Sequence, residues 1–228
     1  MKIQMKGIEV NELPYERREM KHLVRLLKNP KTIIDVGANI GWYSIMLAKL
    51  YPKCDVYAFE PMPETYDMLF RNIYENDLVS QIYTFNVALS DETSKVEFAY
   101  YPNFPGASSM RKNIKGKSIK VVVDAYPLKN YFFDSIDLIK IDTEGSELYV
   151  LKGAELHLKK HHPLVMCEMM RKWTHNFGYH PNDIIKYMKG LGYKCYAMGR
   201  CLKLIKKVTD KTEETNFIFS KKEIKEVK

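Results

Sequence analysis

Two groups of residues in this 228-residue sequence have the types and spacing of a ligand site. The first is Asp35, Gly37, Asn39 and Gly41 in the run DVGANIG, followed 25 positions after Asp35 by Glu60 in AFEP. Glycines let a backbone turn approach a ligand closely, and an acid at the tip of the next strand can accept hydrogen bonds from both hydroxyls of a ribose. Together they are the means by which an open parallel sheet cradles an adenosine-containing cofactor. The second group is Asp142, Glu144 and Glu147 in IDTEGSE, with Glu168 closing the run VMCE. Carboxylates gathered at strand ends can orient a substrate hydroxyl, receive its proton or bind a divalent cation. Hydroxyl orientation is the preferred reading, with a divalent metal as the weaker alternative and no metal ligand assigned. Glu147 has a second explanation, since a negative charge in a first helical turn opposes the helix dipole.

Among the six histidines, His175 and His180 follow Glu168 on the ligand side, and His175 is a candidate general base. His161 and His162 precede Pro163 at the start of a strand, the opposite end, while His22 and His157 read as surface residues. No H-E-x-x-H, paired-cysteine metal site, Walker loop or serine elbow occurs.

The elements that must position these groups alternate strand and helix after residue 30, the signature of an α/β fold. Thr32–Val36 reads as a buried strand and Gly41–Leu50 as its crossover helix, with Trp42, Ile45 and Met46 on the apolar face. After Pro63, the i, i+3, i+4, i+7 spacing of Tyr66, Leu69, Phe70 and Ile73 predicts a helix packed on the sheet. Ile82–Ala88 is a third strand. An extended pair around a basic loop interrupts the pattern between Val96 and Asp124. Strand Ile136–Ile141, helix Glu147–Leu158 and strand Leu164–Glu168 follow. The next helix begins near Pro181, carries Ile184, Tyr187, Met188 and Leu191 on its apolar side, and ends at Gly190 and Gly192. Tyr193–Met198 and Asn216–Phe219 are late strands. Residues 1–29 read as an arm and an amphipathic helix (Leu23, Leu26, Leu27) beside the sheet or over the cofactor mouth. Residues 30–228 form one domain with the inserted pair near 96–124.

The glycine turn leaves two cofactors in competition. A dinucleotide fold expects G-x-G-x-x-G, but here G-A-N-I-G follows an aspartate. Asp35 would sit badly beside a diphosphate and well beside the ammonium group of S-adenosylmethionine, or it orients the glycine loop. The chemistry favours a methyl donor over NAD, with a purely structural turn as the remaining alternative.

A hydrophobic fraction of 46% supports a substantial core. No stretch approaches bilayer-spanning length, and the first residues hold no apolar signal core, so a cytoplasmic location is expected. Cys167 and Cys195 fall inside strands and read as small buried hydrophobes. The net charge of +8 permits an anionic partner without requiring one. Its excess is concentrated in Met110–Lys120, which has five basic residues and no acid, whereas the tail from Cys201 mixes eight lysines with five acids and reads as a solvated surface.

DVGANIGWYS, FEPMPE, NVALSD, GASSM and above all KIDTEGSELYVLKGA, followed by Glu168, resemble the FkbM family of S-adenosylmethionine-dependent methyltransferases over about Thr32–Met198. The resemblance implies a Rossmann-like class I methyltransferase fold, with a seven-stranded, mostly parallel sheet whose last strand is antiparallel. It also implies O-methylation of a hydroxyl on a sugar, glycan or polyketide-like product. By matching motif, Asp35, Gly37, Asn39 and Gly41 resemble the methionine-side loop, Glu60 the ribose ligand and Ala88 the adenine-side wall. Asp142, Glu144 and Glu147 resemble the family's acidic turn. Ser108 and Ser109 match its serine-containing insertion and are candidate substrate contacts, with Arg111 of the adjoining basic loop beside them.

Three further readings stay open. The basic set Arg111, Lys112, Lys115, Lys117 and Lys120 would suit an RNA methyltransferase, although an acidic turn opposes phosphate approach. The others are a nicotinamide-dependent oxidoreductase and a catalytically silent cofactor-binding protein. The expected partner is a small-molecule or glycan acceptor, an anionic one being compatible with the basic loop. The sequence leaves oligomeric state open.

Overall fold

The structure, a computed structural model, describes residues 17–100 and 119–225. Its centre is built from β1 (Thr32–Val36), β2 (Asp55–Phe59), β3 (Ile82–Phe85), β7 (Leu138–Ile141) and β8 (Leu164–Glu168), all mutually parallel. Short, β-branched and apolar, these strands suit a sheet covered on both faces. Alternation divides them between two cores. Ile34, Val36, Ile139, Ile141, Val165 and Cys167 face one, and Ile33, Val56, Ala58, Leu138 and Met166 face the other.

Helices α1 (Arg17–Leu26), α2 (Trp42–Leu50) and α3 (Pro63–Glu75) contribute Leu23, Ile45 and Leu69 to the second core. α4 (Glu147–Gly153), α5 (Glu155–His161) and α7 (Pro181–Gly190) contribute Leu151, Leu158, Ile184 and Met188 to the first. The α1 helix packs beside the sheet, through Met20 and Leu23, and His22 Nε2 lies 3.0 Å from the Gly199 carbonyl.

Two late strands, β9 (Lys194–Met198) and β11 (Asn216–Ser220), complete the expected seven, and β11 runs antiparallel to both β8 and β9. An eighth, β10 (Leu202–Ile205), pairs antiparallel with β9, giving the order β10-β9-β11-β8-β7-β1-β2-β3. The part of the tail read as solvated surface therefore extends the sheet, with Leu202 and Val208 buried. Strand order reverses between β1 and β7, where an open sheet leaves a crevice at its carboxyl edge.

Other boundaries also move. The third strand ends at Phe85 because Asn86 Nδ2 donates to the carbonyls of Glu60 and Pro61 and pulls the chain off the sheet. Ala88–Leu89 is then a separate strand, β4, pairing in parallel with β6 (Ile119–Tyr126), itself antiparallel to β5 (Ser94–Tyr100). This is the expected inserted pair, closed over a small core of Met62, Ala88, Phe98, Val123 and Ala125. On α3, Phe70 is exposed, and Asn72 is buried with Nδ2 on the Ile40 carbonyl at 2.8 Å. His22 and His157 are both buried rather than superficial, and His157 Nε2 lies 3.1 Å from the carbonyls of Leu128 and Tyr131. Cys167 and Cys195 are buried and free, as their strand positions suggest. No helix among the described residues is long and apolar enough to cross a membrane.

The expected helix over 147–158 is broken between α4 and α5. A Cβ on Gly153 would stand 1.9 Å from the Ser90 carbonyl oxygen. Alanine in a helix ordinarily gains about 1 kcal/mol over glycine. Here Gly153→Ala should instead lower stability, by about 1–3 kcal/mol as β4 and α4 are forced apart. Chemical denaturation checks the sign, and a stabilised variant would show that the contact yields.

Candidate functional site

Over the carboxyl ends of β8, β7, β1 and β2 lies a cavity of about 320 Å³, within the range of small-ligand sites. Its floor is made where two turns touch. Gly37, with φ 71°, leads from β1 towards α2, and a Cβ there would lie 1.9 Å from the Asp142 carbonyl oxygen at the tip of β7. Glycine is required at this position both by its backbone angle and by the close approach. The loop is tied down on its other side, Gly37 N and Ala38 N both donating to the Phe59 carbonyl.

Glu60, just beyond β2, joins this loop to the start of α3. Its Oε2 accepts from Asn39 N at 2.9 Å and its Oε1 from Met62 N at 3.0 Å. Each oxygen retains acceptor capacity towards the cavity. Burial pushes the carboxyl up to about 7, against the lowering by the two amides and Lys140. Val87, Ala88 and Leu89 make an apolar wall beyond it. A carboxylate, an apolar slot and close backbone at one end of the cavity form a donor set that fits a nucleoside.

The other end is acidic. Asp142, Glu144 and Glu168 line it together with Thr143, Met170 and Trp173. Asp142 is held by its N–H on the Val36 carbonyl, while 38% of its side chain stays exposed. Burial, then the charges of Asp142 and Glu147, push Glu168 up to about 8, and Glu168 hydrogen-bonds Asp142. Two carboxyls this close favour one proton held by the pair.

Glu147 does not line the cavity. It is buried beneath the turn, where Oε1 accepts from Gly145 N at 2.8 Å and from Thr143 N and Thr143 Oγ1, each at 3.2 Å. This clamp supports a turn in which Glu144 and Gly145 both take positive φ, 53° and 119°. The Tyr179 hydroxyl closes it, donating to the Gly145 carbonyl at 2.7 Å.

The structure therefore brings seven of the expected residues to one cavity: Gly37, Asn39, Glu60, Ala88, Asp142, Glu144 and Glu168. Asp35, Gly41, His175 and His180 lie elsewhere, as does the buried Glu147. Asp35 is fully buried behind the loop, accepting from Ser44 Oγ at 2.6 Å, with Lys140 Nζ 3.1 Å from Oδ1 in an ion pair without hydrogen-bond alignment. Lys140 Nζ also donates to the Gly37 carbonyl at 2.9 Å, so Asp35 bears on the glycine loop through Lys140 and does not line the cavity. Gly41, with φ 94°, caps α2, and a Cβ there would lie 2.6 Å from Leu69 Cδ1, so it serves the packing of α2 on α3. His175 opens onto a separate shallow concavity with Arg171, Lys172 and His180, because the chain turns through α6 (Arg171–Thr174) after β8. His180 Nδ1 caps α7 by accepting from Asn182 N. Ser108, Ser109 and Arg111 lie outside the described residues.

Sequence reasoning missed Lys140, Thr143, Thr65, Phe98 and Trp173. Only Lys140 carried a clear signal, as a charge within an otherwise apolar central strand.

Residues 35–195 match the methyltransferase FkbM domain. The chain is 33% identical to methyltransferase sdnD of Sordaria araneosa, the match covering 66% of this chain and 69% of that protein. It is 25% identical to the hexuronic acid methyltransferase AglP of Haloferax volcanii, over 63% of this chain and 58% of the relative. A crystal structure of methyltransferase FkbM from Methylobacillus flagellatus KT superposes with a TM-score of 0.56 at 18% identity. That match covers 86% of this chain and 45% of the solved one.

Proposed function

The chain belongs to the FkbM family of S-adenosylmethionine-dependent methyltransferases, and from that premise we propose that it methylates a hydroxyl of a sugar or glycan-like acceptor. The observation that carries this reading is the placing of Asp142 and Glu168 together at one end of the cavity, opposite Glu60 and its apolar wall. Kinship with a hexuronic acid methyltransferase supports a sugar acceptor and is compatible with an anionic one.

The bound cofactor supplies a methyl group already activated on a sulfonium. What remains for the protein is alignment, exclusion of water and management of the acceptor's proton. In this reading Gly37 and Asn39 shape the floor, Glu60 receives the ribose hydroxyls, and Ala88 flanks the base. Asp142 orients the acceptor hydroxyl and takes its proton, with Glu168 as the partner that redistributes it. Glu144 and Trp173 contact the acceptor.

Glu60→Gln should weaken S-adenosylhomocysteine binding about tenfold by calorimetry, since an amide replaces one acceptor oxygen with a donor. Wild-type affinity should also rise as pH increases through about 7, where Glu60 ionises, because hydroxyl donors favour the charged carboxylate. Unchanged affinity in the variant and a flat pH dependence would remove Glu60 from the ribose position.

A further inference from the structure

Thr65 is the third residue of α3, on the Glu60 side of the cavity it helps to line. It is 3% exposed, and its hydroxyl oxygen is shielded from water with no hydrogen-bond partner among the described residues. Buried hydroxyls are ordinarily paired, and leaving one unpaired costs about 1–3 kcal/mol. The usual local partner of a helical threonine is the carbonyl four residues back. Here that carbonyl, of Pro61, accepts from Asn86 Nδ2 at 3.1 Å. The neighbouring hydroxyl contact on this helix, Tyr66 with Thr84 at 2.9 Å, is complete without Thr65. No hydrogen bond among the described residues uses this hydroxyl. Threonine in a helix divides between two χ1 rotamers, so the group can turn within the cavity wall without movement of the backbone.

We infer that Thr65 is a binding residue of the methyl-donor site, its hydroxyl hydrogen-bonding the nucleoside end of the donor. The inference rests on the proposed reading that Glu60 marks the nucleoside end. Thr65 stands at the β2 side of the cavity with Glu60 and Pro61, whereas Asp142 and Glu168 stand at the β7 and β8 side. Two strand spacings of about 4.8 Å separate β2 from β7, which keeps Thr65 away from the reacting end. The ligand group it meets is a ribose hydroxyl or a ring nitrogen, either of which can pair with a hydroxyl.

The test uses the full chain, its Thr65→Val and Thr65→Ser variants, and two probes: S-adenosylhomocysteine, and methylthioadenosine, which keeps the nucleoside and lacks the amino-acid end. Thr65→Val should weaken both by about tenfold in calorimetry, and Thr65→Ser should stay within about threefold of wild type. Ligand-free Thr65→Val should melt at or above the wild-type temperature, because an unpaired hydroxyl has been removed. A hydroxyl that merely supported the helix would give the reverse, with lower melting and unchanged affinity, and that result overturns the inference. Weakened S-adenosylhomocysteine with unchanged methylthioadenosine overturns the placement at the nucleoside end. If the wild type binds both probes and Thr65→Val binds them equally, this inference fails while the donor reading stands. If Glu60→Gln leaves affinity intact but Thr65→Val reduces it, the Glu60 assignment fails and the Thr65 contact survives.

Discussion

Asp142→Asn should lower the rate of methyl transfer by about 10²–10³-fold, the scale on which a positioned proton acceptor contributes. S-adenosylhomocysteine affinity and the unfolding midpoint should stay near wild type. The exchange is nearly isosteric, and the backbone of Asp142 is fixed independently by its N–H on Val36 and by contact with Gly37. Its side chain is half-exposed towards the cavity, so the amide meets water without a buried mismatch. An amide cannot accept the acceptor's proton, and it offers Glu168 a weaker partner. Unchanged turnover with saturating donor would sink the role assigned to Asp142, and a loss matched by unfolding would reassign it to structure.

The same pair gives a pH dependence. Glu168 is raised from 4.5 to about 8, so the native protein holds a proton there that the unfolded chain releases near pH 4.5. Its contribution to stability is complete below that value and is lost as pH rises towards 8. Turnover should run the other way, rising between pH 7 and 9 as the pair gains capacity for the acceptor's proton. Glu168→Gln should flatten both profiles, its gain in stability growing from about pH 4.5 and reaching full size above about pH 8. Paired denaturation and rate measurements across this range check the opposed signs.

How far the sequence foretold this site depended on whether a residue stood beyond a strand or within it. Glu60 and Asp142 come just after β2 and β7, and Glu168 is the last residue of β8. A parallel sheet sends such positions to one edge, so strand assignment alone nearly located them. Asp35 is inside β1, one residue short of its end. Its side chain therefore points to a sheet face, between those of Ile34 and Val36 on the opposite face. The clue to its true partner was register, because Asp35 stands opposite Lys140 in the β1–β7 ladder. Opposite charges within two apolar neighbouring strands imply a buried pair, but the register belongs to the fold and not to either segment alone. His175 failed for another reason, since the single turn of α6 after Glu168 redirects the chain and brings Trp173 to the cavity instead. Gly41 was legible as a special position, but not as a contact with Leu69, which is 28 residues away.

Lys140→Met should produce the largest loss of stability, about 3–5 kcal/mol, because it strands Asp35 as a buried charge without its counter-ion. Lys140 and Asp35 are 4% and 0% exposed, so water cannot replace the lost partner. At this chain length the loss corresponds to a fall in melting temperature of about 10 °C. The consequence extends to the ligand, since Lys140 Nζ also holds the Gly37 carbonyl and lies 3.9 Å from Asp142 Oδ2. Donor affinity should fall alongside stability, although Lys140 does not line the cavity. Adding Asp35→Asn to Lys140→Met separates the two effects. The double variant should regain much of the stability, because the stranded charge is gone, yet donor affinity should stay low, because nothing grips the Gly37 carbonyl. Equal recovery of both would show that the glycine loop keeps its shape without Lys140, leaving the buried pair a role in stability alone.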